Sequence, residues 1–283
     1  MQRTGIAIGS EQHKELFCRA FIDTHDPYDP HAIDWPEVEP DALARLRAMP
    51  FWGEAISTER DVAKKVQALA PLEPDPLLRE AIALQGYEEG RHSALLHERL
   101  RHYDIPMPRI SETPQSGDPW WNFMRVGYGE CFDSFFAFGL YTLARDSGLF
   151  PPALLKTVEP IVQEEARHIL FFVNWIAYCR ARQSAAQRLL HRGRCALAMA
   201  VQVWTRIKTA VAAARGGGDD AGSDDSDDFM LGVKDSLEVV NSPRQFLDVC
   251  LRENDRRLDP YDPRLLRPTF VPRIARLLSK VLK

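Results

Sequence analysis

Residues 87–92 read Tyr-Glu-Glu-Gly-Arg-His and residues 163–168 read Gln-Glu-Glu-Ala-Arg-His, so Glu-Glu-x-Arg-His occurs twice, 76 positions apart. The same offset relates Trp52-Gly53-Glu54 to Tyr128-Gly129-Glu130. Each half of this region therefore contains one glutamate and, 35 positions later, a Glu-x-x-His motif. A single Glu-x-x-His is common on helix surfaces, whereas two copies with a matched upstream glutamate indicate an internal repeat.

Helical signals surround both copies. Asp75-Pro76 and Asp118-Pro119 each place a capping carboxylate before a proline, which is the preferred start of a helix. Apolar spacing predicts an all-α chain with four main helices over about 50–70, 76–103, 119–146 and 152–181, and a fifth over about 184–215. Pro160 predicts a kink or a later start in the fourth helix.

The four main helices are expected to form two antiparallel hairpins. From Glu54 to the helix end near residue 70 the chain rises about 24 Å, and from Asp75 to Glu89 it returns about 21 Å. Glutamate and histidine at i and i+3 share one face of a helix. Two such hairpins, face to face, direct four carboxylates and two imidazoles into one interior, namely those of Glu54, Glu89, His92, Glu130, Glu165 and His168.

This set of side chains suits two metal ions. Two divalent ions cancel four negative charges and leave the imidazoles as neutral donors, whereas four buried carboxylates without metal repel one another and take up protons. One glutamate from each of two helices and Glu-x-x-His from each of two others is the pattern of di-iron and di-manganese carboxylate bundles. The alternative is six solvated residues in surface salt bridges, and the doubled spacing favours the metal site.

The six residues resemble the ligands of the ferritin-like di-iron carboxylate family, and the Glu-Glu-x-Arg-His form is most similar to its desaturase and oxygenase branches. The resemblance covers roughly residues 50–181. It implies a ferritin-like four-helix bundle that holds two iron ions, with manganese as the other candidate metal. It also implies activation of O2 to oxidise or hydroxylate a small or carrier-bound substrate, with electrons from an external donor. Residues beside the ligands would support them, namely Glu88, Arg91, Glu164 and Arg167.

Two further predictions concern neighbours of the ligands. Thr58 and Ser134 are equivalent in the repeat and each follows an expected ligand by four residues, so their hydroxyls are candidates for proton handling near bound oxygen. The alternative is a hydrogen bond back to their own helix. No tyrosine occupies the helical positions next to Glu130 or Glu165, which argues against a tyrosyl radical.

Other activities of the same fold stay open at this point. A tRNA-modifying hydroxylase is supported only by a basic stretch of sequence. Iron oxidation, iron storage, peroxide removal and metal binding without turnover are the remaining alternatives. The absence of a Cys-x-x-Cys pair argues against a rubrerythrin, and the long extension beyond the bundle argues against a storage ferritin.

Composition restricts the class of protein. The 283 residues include 36 Lys and Arg against 40 Asp and Glu, and 45% of the residues are hydrophobic, which excludes a disordered, collagen-like or disulfide-scaffold chain. Five cysteines without local pairing suit reduced thiols and predict a cytoplasmic protein. Neither a signal peptide nor a transmembrane segment is expected.

The predicted organisation is one helical domain over 1–215, a flexible acidic linker over 216–228 and a helical extension over 229–283 that packs on the bundle. No acidic residue occurs from 166 to 218 or from 263 to 283, while both stretches are rich in arginine and lysine. One interpretation is a solvated face with the tail docked on the bundle. The others are a surface for an acidic partner (an electron-transfer protein, a carrier protein or tRNA), and peripheral membrane attachment. A homodimer is a further expected assembly.

Overall fold

The computed structural model of the chain describes residues 5–49, 51–107, 117–214 and 242–282. Within these ranges the chain is helical and contains no β-strand, as predicted. The α-helices in chain order are α1 (Glu11–Ile22), α2 (Pro40–Ala48), α3 (Trp52–Leu69), α4 (Pro76–His102), α5 (Pro119–Asp146), α6 (Pro152–Lys156), α7 (Glu159–Ala181), α8 (Ala185–Ala214), α9 (Pro243–Leu258) and α10 (Phe270–Val281). Short 3-10 turns cover Pro30–Ala32 and Ala70–Leu72.

Side-chain caps explain where α4 and α5 begin. The carboxylate of Asp75 accepts hydrogen bonds from the backbone amides of Leu77 and Leu78, and Pro76 occupies the first position of α4. Asp118 accepts a hydrogen bond from the amide of Trp120 in the same way at the start of α5. Each cap satisfies donors that have no partner within the helix, so both predicted starts are confirmed.

Pro160 divides the fourth predicted helix. Helix α6 ends at Lys156, and α7 begins at Glu159 with Pro160 in its first turn. Proline has no amide hydrogen to donate, so the first turn of a helix is where it is tolerated. A later start, rather than a kink, is therefore the outcome here.

Helices α3 and α4 form an antiparallel pair, and their register follows from two contacts. The side chain of Gln67 donates to the carbonyl of Gly86 at 3.0 Å, and the Ser93 hydroxyl donates to the carbonyl of Ile56 at 3.5 Å. Helix α5 contacts α3 on one side and α7 on another. A Cβ at Gly127 of α5 would lie 2.1 Å from a ring atom of Phe172 in α7, so these two helices approach closely.

The N-terminal and C-terminal segments both cover this central group. Helix α1 lies against α4 and α7, whereas α9 contacts α5, α7 and α10. The buried Arg257 of α9 donates to Glu159 of α7 at 3.0 Å. Sequence patterns did not predict α1 or α2. The expected acidic linker over 216–228 lies outside the described residues.

Two observations bear on the remaining expectations about chain class. The five cysteines are free thiols. Among the described helices, none combines the length and the apolar character that crossing a bilayer requires.

Candidate metal centre

Two clusters of ligand-type atoms meet between α3, α4, α5 and α7. In each cluster one oxygen or nitrogen atom per residue lies within 4.8 Å of the others. The first cluster consists of Glu59, Glu89, His92 and Glu165, and the second of Glu89, Glu130 and His168. Glu89 belongs to both. The structure therefore brings together five of the six predicted ligands, and Glu54 is not in either cluster.

Both imidazoles turn the same ring nitrogen toward these carboxylates. Nδ1 of His168 lies 2.9 Å from Oε1 of Glu89. Nδ1 of His92 lies 3.3 Å from Oε2 of Glu59 and 3.5 Å from Oε1 of Glu165. The two rings stack with their centroids 5.6 Å apart. Two nitrogen donors and four carboxylates thus converge on one buried volume.

Helix α3 contributes Glu59 to the first cluster, five residues after the predicted ligand Glu54. In the predicted hairpin, the turn after residue 70 adds no rise along the helix axis. Instead a 3-10 turn over Ala70–Leu72 continues α3 and adds about 6 Å of rise before the chain reverses. Counted from Glu59, the ascent becomes about 21 Å, which equals the return from Asp75 to Glu89.

On the outer side of the centre, each motif supplies a glutamate that contacts the histidine of the other motif. Oε2 of Glu88 in α4 lies 2.9 Å from Nε2 of His168 in α7. Oε2 of Glu164 in α7 lies 2.8 Å from Nε2 of His92 in α4. When Nε2 carries the proton and donates it to these carboxylates, the lone pair of Nδ1 faces the cluster and is available to a metal.

The arginine of each motif also donates a hydrogen bond to the glutamate that the other motif supplies. Arg167 donates to Oε1 of Glu88 at 2.8 Å, and Arg91 donates to Oε1 of Glu164. Burial raises the pKa of Glu88, but its hydrogen bond with His168 and the charges of His168 and Arg167 outweigh burial and lower this pKa to about 2. Glu88 therefore stays ionised as the acceptor that orients the imidazole. All four residues named from the resemblance as supporting residues contact the ligand imidazoles or one another.

The two predicted hydroxyls differ in their surroundings. Ser134 donates to Oε2 of Glu165 at 3.0 Å, so its side chain bonds a cluster member and not its own helix. No such contact with the clusters is found for Thr58, which is partly exposed one residue before Glu59. The 76-residue repeat pairs Thr58 with Ser134 just as it pairs Glu54 with Glu130. Thr58 lies away from the clusters for the same reason as Glu54, because the repeat places the matching positions of α3 five residues too early.

Several contacts of the centre come from residues that sequence reasoning did not single out. Gln85, one turn before Glu89, donates to both carboxylate oxygens of Glu130 at 3.2 Å. Gln85 precedes the predicted ligand Glu89 by four residues and so shares its face of α4, which is the sequence signal that could have identified it. Nδ1 of His25 lies 2.5 Å from Oε1 of Glu88, and the Tyr28 ring lies 3.9 Å below the guanidinium of Arg91. His25 and Tyr28 follow α1 and reach the centre only through tertiary packing, which no local pattern reveals.

The charges of the centre favour protons or cations. Burial, and then repulsion by Glu130 and Glu165 against the attraction of His168, raises the pKa of Glu89 well above its usual range. Burial likewise raises the pKa of Glu130 to about 7. Burial also raises the pKa of Glu165, but hydrogen bonding with His92 and the charge of His168 outweigh it and lower that pKa. Burial lowers the pKa of both imidazoles, yet the surrounding carboxylates raise it well above the usual value.

One pair of atoms tests whether the residues fit a metal. Oε1 of Glu89 and Nδ1 of His168 are both buried and lie 2.9 Å apart as an ion pair, without the geometry of a directed hydrogen bond. Two ligands at about 2.1 Å from one ion, at a right angle, are separated by about 3 Å. The pair therefore has the spacing of two donors on a shared ion. Four carboxylates and two imidazoles also match the charge of two divalent ions, so the donor set fits a binuclear centre.

Comparison of the chain with protein-family models, curated proteins and solved structures finds no match, so the interpretation of this centre depends on its own geometry.

Proposed function

We propose that this chain is a ferritin-like binuclear metal protein that uses O2 to oxidise or hydroxylate an organic substrate, with two iron ions as the favoured metals and manganese as the alternative. The observation that carries the proposal is the pair of Glu and His clusters that share Glu89 and are held by the reciprocal contacts of Glu88 and Glu164. The proposal includes the internal repeat of the bundle, whose two motifs support each other's imidazole.

Each cluster holds one ion in this proposal. Glu59, His92 and Glu165 bind the first and Glu130 and His168 bind the second, while Glu89 lies between them as the common member. When bound, the ions would supply the redox chemistry that reduction of O2 requires, with electrons from an external donor. The oxygen-rich donor set suits iron and manganese equally.

The chain's own residues orient the ligands and control water. Glu88 and Glu164 hold the imidazoles with Nδ1 toward the centre, and Glu89 and both histidines are almost completely excluded from water. The side chains of Glu59 and Glu165 are 21% and 15% exposed, against 2% for Glu89. Small molecules therefore approach from the side of α3 and α7 where Glu59 and Glu165 reach water. The hydroxyl of Ser134, which donates a hydrogen bond to Glu165, lies on the same side as this approach.

Metal analysis of anaerobically purified protein, followed by exposure to O2, tests the proposal. We expect about two metal ions per chain, a bridged di-iron absorption signature after O2 is added, and O2 consumption when a reductant is present. Bound metal near zero, or metal without O2 consumption, contradicts the oxidative function.

A matched pair of histidine variants separates the centre from general folding effects. His168→Ala removes a donor of the second cluster and should lower the metal content to one ion or fewer per chain. His13→Ala removes an equally buried histidine whose Nε2 lies 3.1 Å from Oδ1 of Asn174, away from the clusters, and should leave the metal content unchanged. If both variants retain two ions per chain, the assignment of this centre is wrong.

A further inference from the structure

Helix α10 exposes large apolar side chains and buries small ones. Its inner side consists of small residues, Val271, Ala275 and Ser279, and the Ser279 hydroxyl donates to Asp248 of α9 at 2.6 Å. Its large apolar side chains lie within about 100° of one another around the axis, next to this inner side, and Phe270 among them also meets a ring of α5. They are 40 to 75% exposed, namely Phe270, Leu277, Leu278 and Val281.

Helix α8 presents a second exposed apolar stripe. Four side chains that share about 100° of its circumference are 56 to 72% exposed, namely Leu189, Leu190, Leu197 and Trp204. Twelve large hydrophobic side chains are exposed in the described part of the chain, and eight of them belong to α8 and α10. Scattered exposure would not concentrate in this way, so α8 and α10 carry most of the large exposed apolar side chains of the described residues.

The two helices are neighbours on α5. Val271 of α10 belongs to a buried hydrophobic group that α5, α9 and α10 form together, and Val203 of α8 packs against the same group. The Phe132 ring of α5 meets Phe270 edge to face, with centroids 6.0 Å apart, and the guanidinium of Arg206 lies 4.7 Å from the Phe132 ring. We name the eight exposed side chains of α8 and α10 together the apolar–basic surface.

Basic residues flank these stripes, and acidic residues are absent from both helices. Arg273 and Lys280 of α10, like Arg188 and Arg192 of α8, have no carboxylate partner among the residues that the structure covers. Arg276 has only a 3.5 Å contact with the exposed Asp255. Arg194 and Arg206 of α8 are paired with Asp118 and Asp133, but the other basic side chains named here leave positive charge beside the apolar stripes.

We propose that the apolar–basic surface docks on an anionic phospholipid bilayer, with α10 lying in the plane of the lipid headgroups. A strongly amphipathic helix with Phe and Leu on one face and Arg and Lys at its flanks is the type that binds such an interface. Charge selects the occupant, because a second copy of this surface would bring positive charge against positive charge. Anionic headgroups complement the basic flanks while the apolar side chains enter the acyl region.

Flotation of the full-length chain with vesicles tests this surface. We expect binding to vesicles of phosphatidylcholine with one-third phosphatidylglycerol, and much weaker binding to pure phosphatidylcholine. Arg273→Gln with Lys280→Gln should weaken binding to the anionic vesicles about 25-fold, since each basic residue near the surface contributes about fivefold. Leu277→Glu should weaken it about tenfold or more, since it places a charge where an apolar side chain enters lipid.

The matched control is Leu72→Glu, which changes an equally exposed leucine in the turn between α3 and α4 and should leave vesicle binding unchanged. Circular dichroism and metal content of each variant confirm that the fold is kept. The proposal is overturned if the wild-type chain fails to float with anionic vesicles, or if Leu72→Glu and Leu277→Glu have equal effects. It is also overturned if Leu277→Glu abolishes a dimer, or tRNA binding, while vesicle binding is unaffected.

Discussion

The proposed metal ligand on α3 differs between the structure, where Glu59 lies in a cluster, and the sequence repeat, which predicts Glu54, and two single substitutions decide between them. Glu59→Ala removes a carboxylate whose Oε2 lies 3.3 Å from Nδ1 of His92. Glu54→Ala removes the carboxylate that the 76-residue offset pairs with Glu130. Both side chains are partly exposed on the same helix, so each variant serves as the control for the other.

The expected difference follows from helix geometry. Five residues separate the two positions by about 7.5 Å along the axis of α3 and about 140° around it. A carboxylate oxygen binds its metal at about 2.0–2.2 Å, so a side chain displaced by this amount cannot replace Glu59. Changes to residues that only support a ligand lower metal affinity by about 10–100-fold, and loss of a direct ligand should exceed that range.

Anaerobic titration with ferrous iron, followed by gel filtration and metal analysis, measures the effect. We expect Glu59→Ala to lower affinity at the first cluster more than 100-fold or to lose that ion, and Glu54→Ala to change affinity by less than about threefold. Equal losses, or a greater loss from Glu54→Ala, would refute the register argument and restore the ligand set that the sequence repeat predicts.

Three further predictions concern support, protons and packing. Glu88→Gln should weaken metal binding about 10–100-fold in the same titration, because His168 loses its charged acceptor, and unchanged affinity would contradict the role of Glu88 in orienting His168. Metal binding should release protons at pH 6, because burial raises the pKa of Glu130 to about 7 and this carboxyl must lose its proton to bind. The pKa values of Glu89 and of both imidazoles are also raised, so their protons leave as well and apparent affinity rises with pH through 7. Calorimetry in two buffers of different ionisation enthalpy counts these protons, and a count of zero would contradict the charge state described above. Gly127→Ala should lower the free energy of unfolding in urea by about 1–3 kcal/mol, because its Cβ meets a ring in α7, whereas Gly193→Ala, with open space around its Cβ, should raise it by about 0.5–1 kcal/mol.

Local chemistry accounts for the parts of the fold that the sequence could predict. The starts of α4 and α5 depend on an aspartate and the proline after it, and the start of α7 depends on Pro160, so each is decided within a few residues. Helices α1 and α2 carry no repeat partner. The position of α1 depends on contacts such as that between His13 and Asn174, which are 161 residues apart.

The candidate centre also has features that local sequence decides and features that tertiary packing decides. The motifs on α4 and α7 could be recognised because their spacing puts glutamate and histidine on one face of one helix. The contribution of α3 could not, because it depends on how far the chain rises through the turn at Ala70–Leu72 before it reverses. His25 and Tyr28 belong to the segment after α1, and only the packing of that segment over α4 and α7 brings them to the motifs.

The contacts of Glu88 and Glu164 with the opposite histidines affect how metal ions would occupy the proposed centre. Glu88 orients the imidazole of the opposite motif, and Glu164 does the same in return, so neither motif alone keeps its histidine in the binding orientation. In the proposed centre, an ion at one position would hold α4 and α7 together and thereby lower the entropic cost of binding at the other position. Occupancy should therefore rise cooperatively, with chains that hold a single ion scarce at half saturation. The two halves of the bundle are interdependent, and a fragment that contains only one of them would lack a competent half-site.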